Sequence, residues 1–154
     1  MSSEQKPRVR FAPSPTGYVH VGSLRTTLYN YLFARQTGGT YILRIEDTDQ
    51  SRFVVGAKEN LVEILDFMGI NADEGVRSID GTTAESGEFG PYEQSQRLPL
   101  YQAAAQKLIA EDKAYVCFCT PERLTALREE QQQNKQAPKY DKRCKSLTSE
   151  EVAR

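Results

Sequence analysis

Within the first 45 residues a strand, a rigid turn, a helix and a second strand follow one another, and few architectures accept that order. Residues 8–12, Arg-Val-Arg-Phe-Ala, alternate charged and apolar side chains as a half-buried strand does. Pro13-Ser-Pro-Thr-Gly17 stops the run, because each proline fixes φ and bars helix in the residue before it. After His20 the period becomes helical, with Val21, Leu24, Leu28, Tyr31 and Leu32 on one face and Arg25, Asn30 and Arg35 elsewhere. Gly38-Gly39 ends that helix, and Thr40-Tyr-Ile-Leu-Arg-Ile45 is a second β-rich run. The pattern is a βαβ unit, hence a parallel sheet with a right-handed crossover and an α/β fold.

Further along, residues 58–68 predict a second helix with Leu61, Ile64, Leu65 and Met68 inward, and Asp73 to Phe89 is expected to be a surface loop. Residues 95–111 predict a helix burying Leu98, Tyr101, Ala105 and Leu108, and Ala114–Cys119 a strand. Thr120-Pro-Glu-Arg123 starts a helix with a threonine cap and proline at its first position, running through Leu124 and Leu127 and fading in the Gln131–Gln136 stretch. A last helix begins at Thr148 or Ser149, and a stop at Arg154 inside it is expected of a fragment.

No apolar run approaches the roughly 18 residues of a membrane helix, and Met1-Ser-Ser-Glu-Gln-Lys-Pro lacks the apolar stretch of a secretion signal, so a cytoplasmic protein is expected. The net charge of −1 does not announce nucleic acid. Residues 1–97 carry 10 basic and 13 acidic side chains (−3), and residues 98–154 carry 10 and 8 (+2). Lys139, Lys142, Arg143 and Lys145 concentrate the positive charge; a solvated face and a phosphate-contacting surface are both open. Three cysteines are an odd number for a disulfide framework. Cys117 and Cys119 would point the same way on a strand, and Cys144 follows with Tyr140 four residues before it. Three unrelated buried thiols and a metal site one ligand short are the two readings.

The first βα turn of a parallel sheet is where helix amides offer partial positive charge to phosphates. Neither G-x-G-x-x-G nor G-x-x-x-x-G-K-[ST] occurs in this turn. Ala12-Pro-Ser-Pro-Thr-Gly-Tyr-Val-His-Val-Gly-Ser23 stands there instead, with Gly17 and Gly22 leaving room for a ligand, and His20 and Ser23 able to reach a phosphate. His20 on its own would be read as a surface or capping histidine, and Arg10 as an ordinary strand-edge arginine.

His20-Val-Gly-Ser23 resembles the H-x-G-H signature of class I aminoacyl-tRNA synthetases, with serine in the last place. Extended to Arg-Phe-Ala-Pro-Ser-Pro-Thr-Gly-x-x-His-x-Gly, it is similar to glutamyl-tRNA synthetases, whereas glutaminyl enzymes usually show Pro-Glu-Pro-Asn-Gly. Arg25-Thr-Thr-Leu-Tyr-Asn-Tyr, Gly39-x-x-Ile-Leu-Arg-Ile-Glu-Asp-Thr-Asp49 and Gly90-Pro-Tyr-x-Gln-Ser-x-Arg-Leu-x-x-Tyr101 extend the likeness over residues 8–145. The stretch 78–89 is longer than the family pattern.

The resemblance implies a class I Rossmann-type catalytic domain whose first half is residues 1–97, followed at 98–154 by the beginning of an inserted tRNA acceptor-binding subdomain. It implies ATP-dependent activation of L-glutamate with Mg²⁺ and transfer of the product to tRNA(Glu), by a protein expected to be a monomer. His20, Gly22 and Ser23 take the catalytic positions, and Ala12, Ser14 and Gly17 join them around ATP. Arg10 matches the arginine that selects the glutamate side chain; Glu46, Ala12 and Ser14 match its other contacts. Asp49, Lys139, Lys142 and Arg143 are expected at the tRNA. Some members bind Zn²⁺ through C-x-C, a later cysteine and either a His two residues after it or a Tyr four before; Ser146 stands at the His position, and Cys117, Cys119, Tyr140 and Cys144 fit the tyrosine version. The K-M-S-K-S loop, the second Rossmann half and an anticodon domain are absent from the sequence. Other readings are a glutamyl-queuosine tRNA(Asp) synthetase, a small H-x-G-H nucleotidyltransferase, or a zinc-bearing RNA-binding module without catalysis.

Overall fold

The computed structural model describes residues 6–152, and the chain divides after Pro99 into two compact units. The first is a four-stranded sheet with helical crossovers. Strand β1 (Arg8–Phe11) pairs in parallel with β2 (Thr40–Leu43), Arg8 opposite Thr40 and Phe11 opposite Leu43. Helix α1 (Val21–Thr37) connects them, and α2 (Ala57–Phe67) leads to β3 (Glu74–Ile79), which lies parallel to β2. Strand β4 (Thr82–Ser86) then returns antiparallel, giving the order β1-β2-β3-β4. The expected α/β sheet is present, with the crossovers its parallel strands require.

Strand periodicity decides what the sheet buries. Phe11, Tyr41, Leu43, Ile45 and Val76 join Ala34 from α1 and Leu61, Val62 and Leu65 from α2 in one core. Arg8 and Arg10, on the alternate positions of β1, stay exposed. Full burial of one leucine or phenylalanine is worth about 1.5–3 kcal/mol, so this cluster dominates the stability of the unit. Two polar devices go with it, the first buried and the second at the surface. The Thr27 hydroxyl hydrogen-bonds the buried Tyr41 hydroxyl. Arg35 grips Asp73 with two bonds of 2.9 Å, while Asp73 also accepts the Tyr41 N–H at 2.8 Å.

The buried stripe of α1 differs from the expected one. Thr27 and Ala34 are buried and Leu24 and Tyr31 pack on the core, whereas Val21, Leu28 and Leu32 are exposed. This helix is apolar on most sides, so periodicity alone underdetermines which side meets the sheet. The expected loop at 73–89 is instead the β3–β4 hairpin. Asp80 and Gly81 both take positive φ, 51° and 76°, the geometry that lets a two-residue turn follow strand twist. Gly75 is required for another reason: its φ is 105° and a Cβ there would stand 2.0 Å from the Leu43 carbonyl oxygen.

The second unit is built differently. Helices α3 (Leu98–Ala110, beginning just before the division) and α4 (Pro121–Gln133) have no buried residue, and a single turn, α5 (Ser149–Val152), follows. Thr120 caps α4 as expected, its hydroxyl accepting the Arg123 N–H at 3.3 Å. The residues expected inward on α3 are exposed, Leu98 at 53% and Leu108 at 43%. An apolar stripe reports what a helix could bury, and the described residues provide no layer to bury it. Ala114–Cys119, expected as a strand, belongs to no sheet among the described residues. In this unit Cys144 is the one buried side chain among the described residues.

Gly75→Ala should destabilise the protein by about 3 kcal/mol, from the left-handed φ and the backbone clash together. Urea unfolding measures it, and a loss below about 0.5 kcal/mol, the scale of an ordinary surface substitution, would contradict the close approach of β3 to β2.

Candidate active site and thiol cluster

The turn after β1 is held from three sides. Thr16 N–H donates to Ser14 O at 2.8 Å, Val54 N–H to Pro15 O at 2.9 Å, and Glu46 N–H to Pro13 O at 2.9 Å. His20 then caps α1 with extended backbone, its Nδ1 accepting the Gly22 N–H at 3.1 Å. Its Nε2 lies 3.3 Å from Ser23 Oγ. A Cβ on Gly22 would come within 2.9 Å of the imidazole, so glycine at that position is what lets the ring fold over the helix N-terminus. Gly17 has open space around it. Ser14, Gly17, His20 and Ser23 line a cavity of about 340 Å³, together with Ile45, Lys58 and Leu61.

Arg10, Ala12, Gly22 and Glu46 do not line that cavity. Arg10 and Glu46 meet each other instead, Nη2 to Oε1 at 3.8 Å, with side chains 49% and 35% exposed. Both stand at the C-terminal ends of neighbouring parallel strands, where open α/β sheets place their ligands. Asp49 lies just beyond, accepting from Ser51 Oγ at 2.7 Å and Arg52 Nε at 2.6 Å, which together hold its carboxyl below the ordinary range. Two features around the site went unread in the sequence. Lys58, in the first turn of α2, faces the cavity and pairs with Glu93 at 3.0 Å. Asp47 is buried and accepts both the N–H and the hydroxyl of Ser95, at 2.8 and 2.6 Å. Burial pushes the Asp47 carboxyl up, and the Ser95 bonds outweigh it to leave it lowered. The Glu-Asp dipeptide and the Gln-Ser of the Gly90–Tyr101 string were visible signals, but their pairing spans 48 residues.

In the second unit the three cysteines converge. Their sulfurs all lie within 4.8 Å of one another, Cys119 and Cys144 at 3.5 Å. The Tyr140 hydroxyl is 3.3 Å from Cys117 Sγ and 3.5 Å from Cys119 Sγ. Hydrogen bonds from Tyr140 and from the Phe118 N–H hold the Cys144 thiol down to about 7, favouring thiolate, while the thiols push the Tyr140 phenol up. Arg123 donates to Cys119 Sγ at 3.3 Å and pairs with Asp141. Lys139, Lys142 and Arg143 are exposed close by in sequence. Gln131 fixes the Lys139 backbone through bonds of 2.7 and 2.8 Å.

A sheet with β1, β2 and β3 parallel, whose first helix is capped by histidine at a glycine-bearing turn, is the Rossmann-type arrangement of class I synthetase catalytic domains. The family model for tRNA synthetases class I (E and Q), catalytic domain, matches residues 6–154, and the chain belongs to this family. It is 57% identical to a glutamate–tRNA ligase of Clostridioides difficile and 54% identical to one of Alkaliphilus metalliredigens, each over 94% of this chain. A crystal structure of a glutamate tRNA ligase from Elizabethkingia meningosepticum, in complex with its amino acid, superposes with a TM-score of 0.81 at 42% identity, over 97% of this chain. The chain spans about 30% of the length of each.

Replacing His20 by alanine should lower stability by about 1 kcal/mol through loss of the N-cap, and asparagine should restore most of it. Thermal unfolding of the two variants checks this; equal stability of His20→Ala and the unsubstituted protein would show that the cap carries no energy.

Proposed function

We propose that this chain supplies the ATP- and glutamate-binding part of a glutamate–tRNA ligase, which joins L-glutamate to AMP and passes it to the 3′ end of tRNA(Glu). The observation that carries the reading is the Arg10–Glu46 pair. A free glutamate presents a side-chain carboxylate and an α-ammonium, and these two side chains offer the complementary charges side by side. Their 3.8 Å separation and exposure make the pair weak in the empty site, since exposed ion pairs are worth about 0–1 kcal/mol, so a substrate that engages both loses little by opening it. Arg10 takes the side-chain carboxylate: a guanidinium binds a carboxylate bidentately and has no acceptor for the amide N–H groups of glutamine. Glu46 accepts from the α-ammonium, with Ala12 and Ser14 at the turn between them.

The ATP phosphates lie along Ala12, Ser14, Gly17, His20, Gly22 and Ser23. Attack of the glutamate α-carboxylate on the α-phosphorus builds charge on its equatorial oxygens; His20 and the α1 amides stabilise it as pyrophosphate leaves. Mg²⁺, when bound, spreads the phosphate charge. No covalent enzyme intermediate is needed, so positioning and charge stabilisation carry the rate. Asp49 lies toward the tRNA terminal adenosine, and Lys139, Lys142 and Arg143 meet acceptor-end phosphates. Residues 1–97 form the first half of the catalytic domain and residues 98–154 begin the acceptor-binding insertion. The described residues contain no helix long and apolar enough to cross a membrane, in keeping with a protein that works on tRNA.

Zinc fits the thiol cluster. Four ligands at about 2.3 Å set sulfurs roughly 3.7 Å apart, close to the spacing of Cys119 and Cys144, and Tyr140 supplies the fourth donor. A unit whose one buried described side chain is a cysteine gains from a structural ion what it lacks in apolar core. The ion's part is to hold Cys117, Cys119, Tyr140 and Cys144 together; it takes no part in the chemistry.

Arg10→Ala in the full-length protein should cut glutamate-dependent ATP–pyrophosphate exchange by roughly 100-fold or more, a barrier increase of about 2.7 kcal/mol or above, with ATP affinity little changed. Unchanged exchange would remove the specificity assignment. For the cluster, metal analysis should give one zinc per chain and Cys119→Ser should lose it, with faster proteolysis inside 100–154. Zinc-free protein with intact thiols, prepared without chelator, would end the metal reading.

A further inference from the structure

Glu46 can grip an ammonium only if its backbone is fixed, and the fixing comes from a segment far along the chain. Tyr92–Ser95 runs beside the end of β2: Ile45 N–H donates to Tyr92 O at 3.0 Å, and Gln94 N–H to Ile45 O at 2.9 Å. This is a one-residue parallel bridge, Ile45 with Glu93. On the other side of Glu46, the buried Asp47 carboxylate holds the Ser95 N–H and hydroxyl. Glu46 therefore sits between two residues that are both latched to the same strap, while its own N–H is spent on Pro13.

The strap is in turn held from outside by the β3–β4 hairpin. Glu85 on β4 places a single oxygen, Oε1, 2.9 Å from the Tyr92 nitrogen and 3.0 Å from the Glu93 nitrogen, accepting both consecutive N–H groups. Tyr92 is clasped further, its hydroxyl donating to Glu74 at 2.6 Å and accepting the Phe89 N–H at 3.0 Å. Glu93 reaches back to Lys58. One oxygen thus satisfies two consecutive backbone donors, and Glu85 fixes the strap although the residue is exposed.

We propose that Glu85 is a positioning residue for the amino-acid site: the β3–β4 hairpin, through the Tyr92–Ser95 strap, fixes Glu46 for the substrate α-ammonium. This rests on the ligase reading and names a part of that site which the motifs do not contain. Without the Glu85 carboxylate two backbone donors lose their acceptor, the strap loosens from Ile45, and Glu46 gains freedom at the point where it must meet the ammonium. The ATP turn shares the Glu46–Pro13 bond but keeps two anchors that do not pass through Glu46, Val54 on Pro15 and the helix cap, and should feel the change much less. Only the Oε1 atom is used, so glutamine, whose side-chain oxygen occupies the same place, should substitute.

The test is steady-state ATP–pyrophosphate exchange in the full-length protein. Glu85→Ala should raise the KM for glutamate on the order of tenfold, below the ~100-fold that an ångström of misplacement can cost, with the KM for ATP within about twofold. Glu85→Gln should lie close to the unsubstituted protein. A purely structural role would lower the melting temperature and leave the glutamate KM alone, and that result overturns the proposal. If Glu85→Ala does not fold, Ser95→Ala decides, because it loosens the other end of the strap: the same selective rise supports the proposal, and an unchanged glutamate KM refutes it. An unsubstituted protein with no glutamate-dependent exchange would instead overturn the ligase reading itself.

Discussion

The parallel ladder between β1 and β2 is the interaction on which the rest depends, because it continues past the strands. Arg44 N–H donates to Phe11 O at 3.0 Å and Glu46 N–H to Pro13 O at 2.9 Å, so pairing runs on into the proline turn. An antiparallel pairing would have put the turn after one strand beside the beginning of the other. Parallel pairing puts both exits at one end, and the turn, the helix N-terminus and Glu46 converge there without any further device. Alternation then sorts the side chains: Val9 and Phe11 go to the core, and Arg10 to the open face where Glu46 meets it.

What could be read from the chain and what could not follows from the range of the interactions concerned. The βαβ unit announced itself because alternation, proline, glycine and helical period are local signals. Arg10, His20 and Glu46 could be singled out because the motifs that carry them each lie within a few residues. The hairpin was missed although Ile79-Asp-Gly-Thr82 carries a two-residue turn signal, since polar Thr, Glu and Ser around it masked the β character. The buried face of α1 was misjudged because Val21, Leu28 and Leu32 satisfy the same period as Leu24, Thr27, Tyr31 and Ala34, and only the partner sheet chooses between them. The Asp47–Ser95 latch, 48 residues apart, has no local signature.

The two units solve the stability problem by different means. The first buries aromatic and aliphatic side chains from a sheet and two helices, with the Thr27–Tyr41 pair inside and the Arg35–Asp73 pair at its surface. The second leaves its apolar residues on the surface and concentrates its order around three thiols, a phenol and an arginine. Hydrogen bonds from Tyr140 and the Phe118 N–H hold the Cys144 thiol near 7, so the one buried described side chain of this unit is a readily ionised one, where the first unit buries mainly apolar groups.

The open face of the sheet carries the same logic one step further. Arg8 is not left idle there: it binds Glu74 at 2.6 Å and lies over the Phe89 ring at 4.8 Å, which ties β1 to β3 and to the loop before the strap. Glu74 also accepts from the Tyr92 hydroxyl, so a single carboxylate joins the first strand, the third strand and the strap. Among the described residues, Arg10, two residues further on, has the long contact to Glu46 and no such clamp. The two arginines of one strand, chemically identical and on the same face, thus differ in pairing: Arg8 is clamped to Glu74 at 2.6 Å, and Arg10 is loosely paired with Glu46 at 3.8 Å.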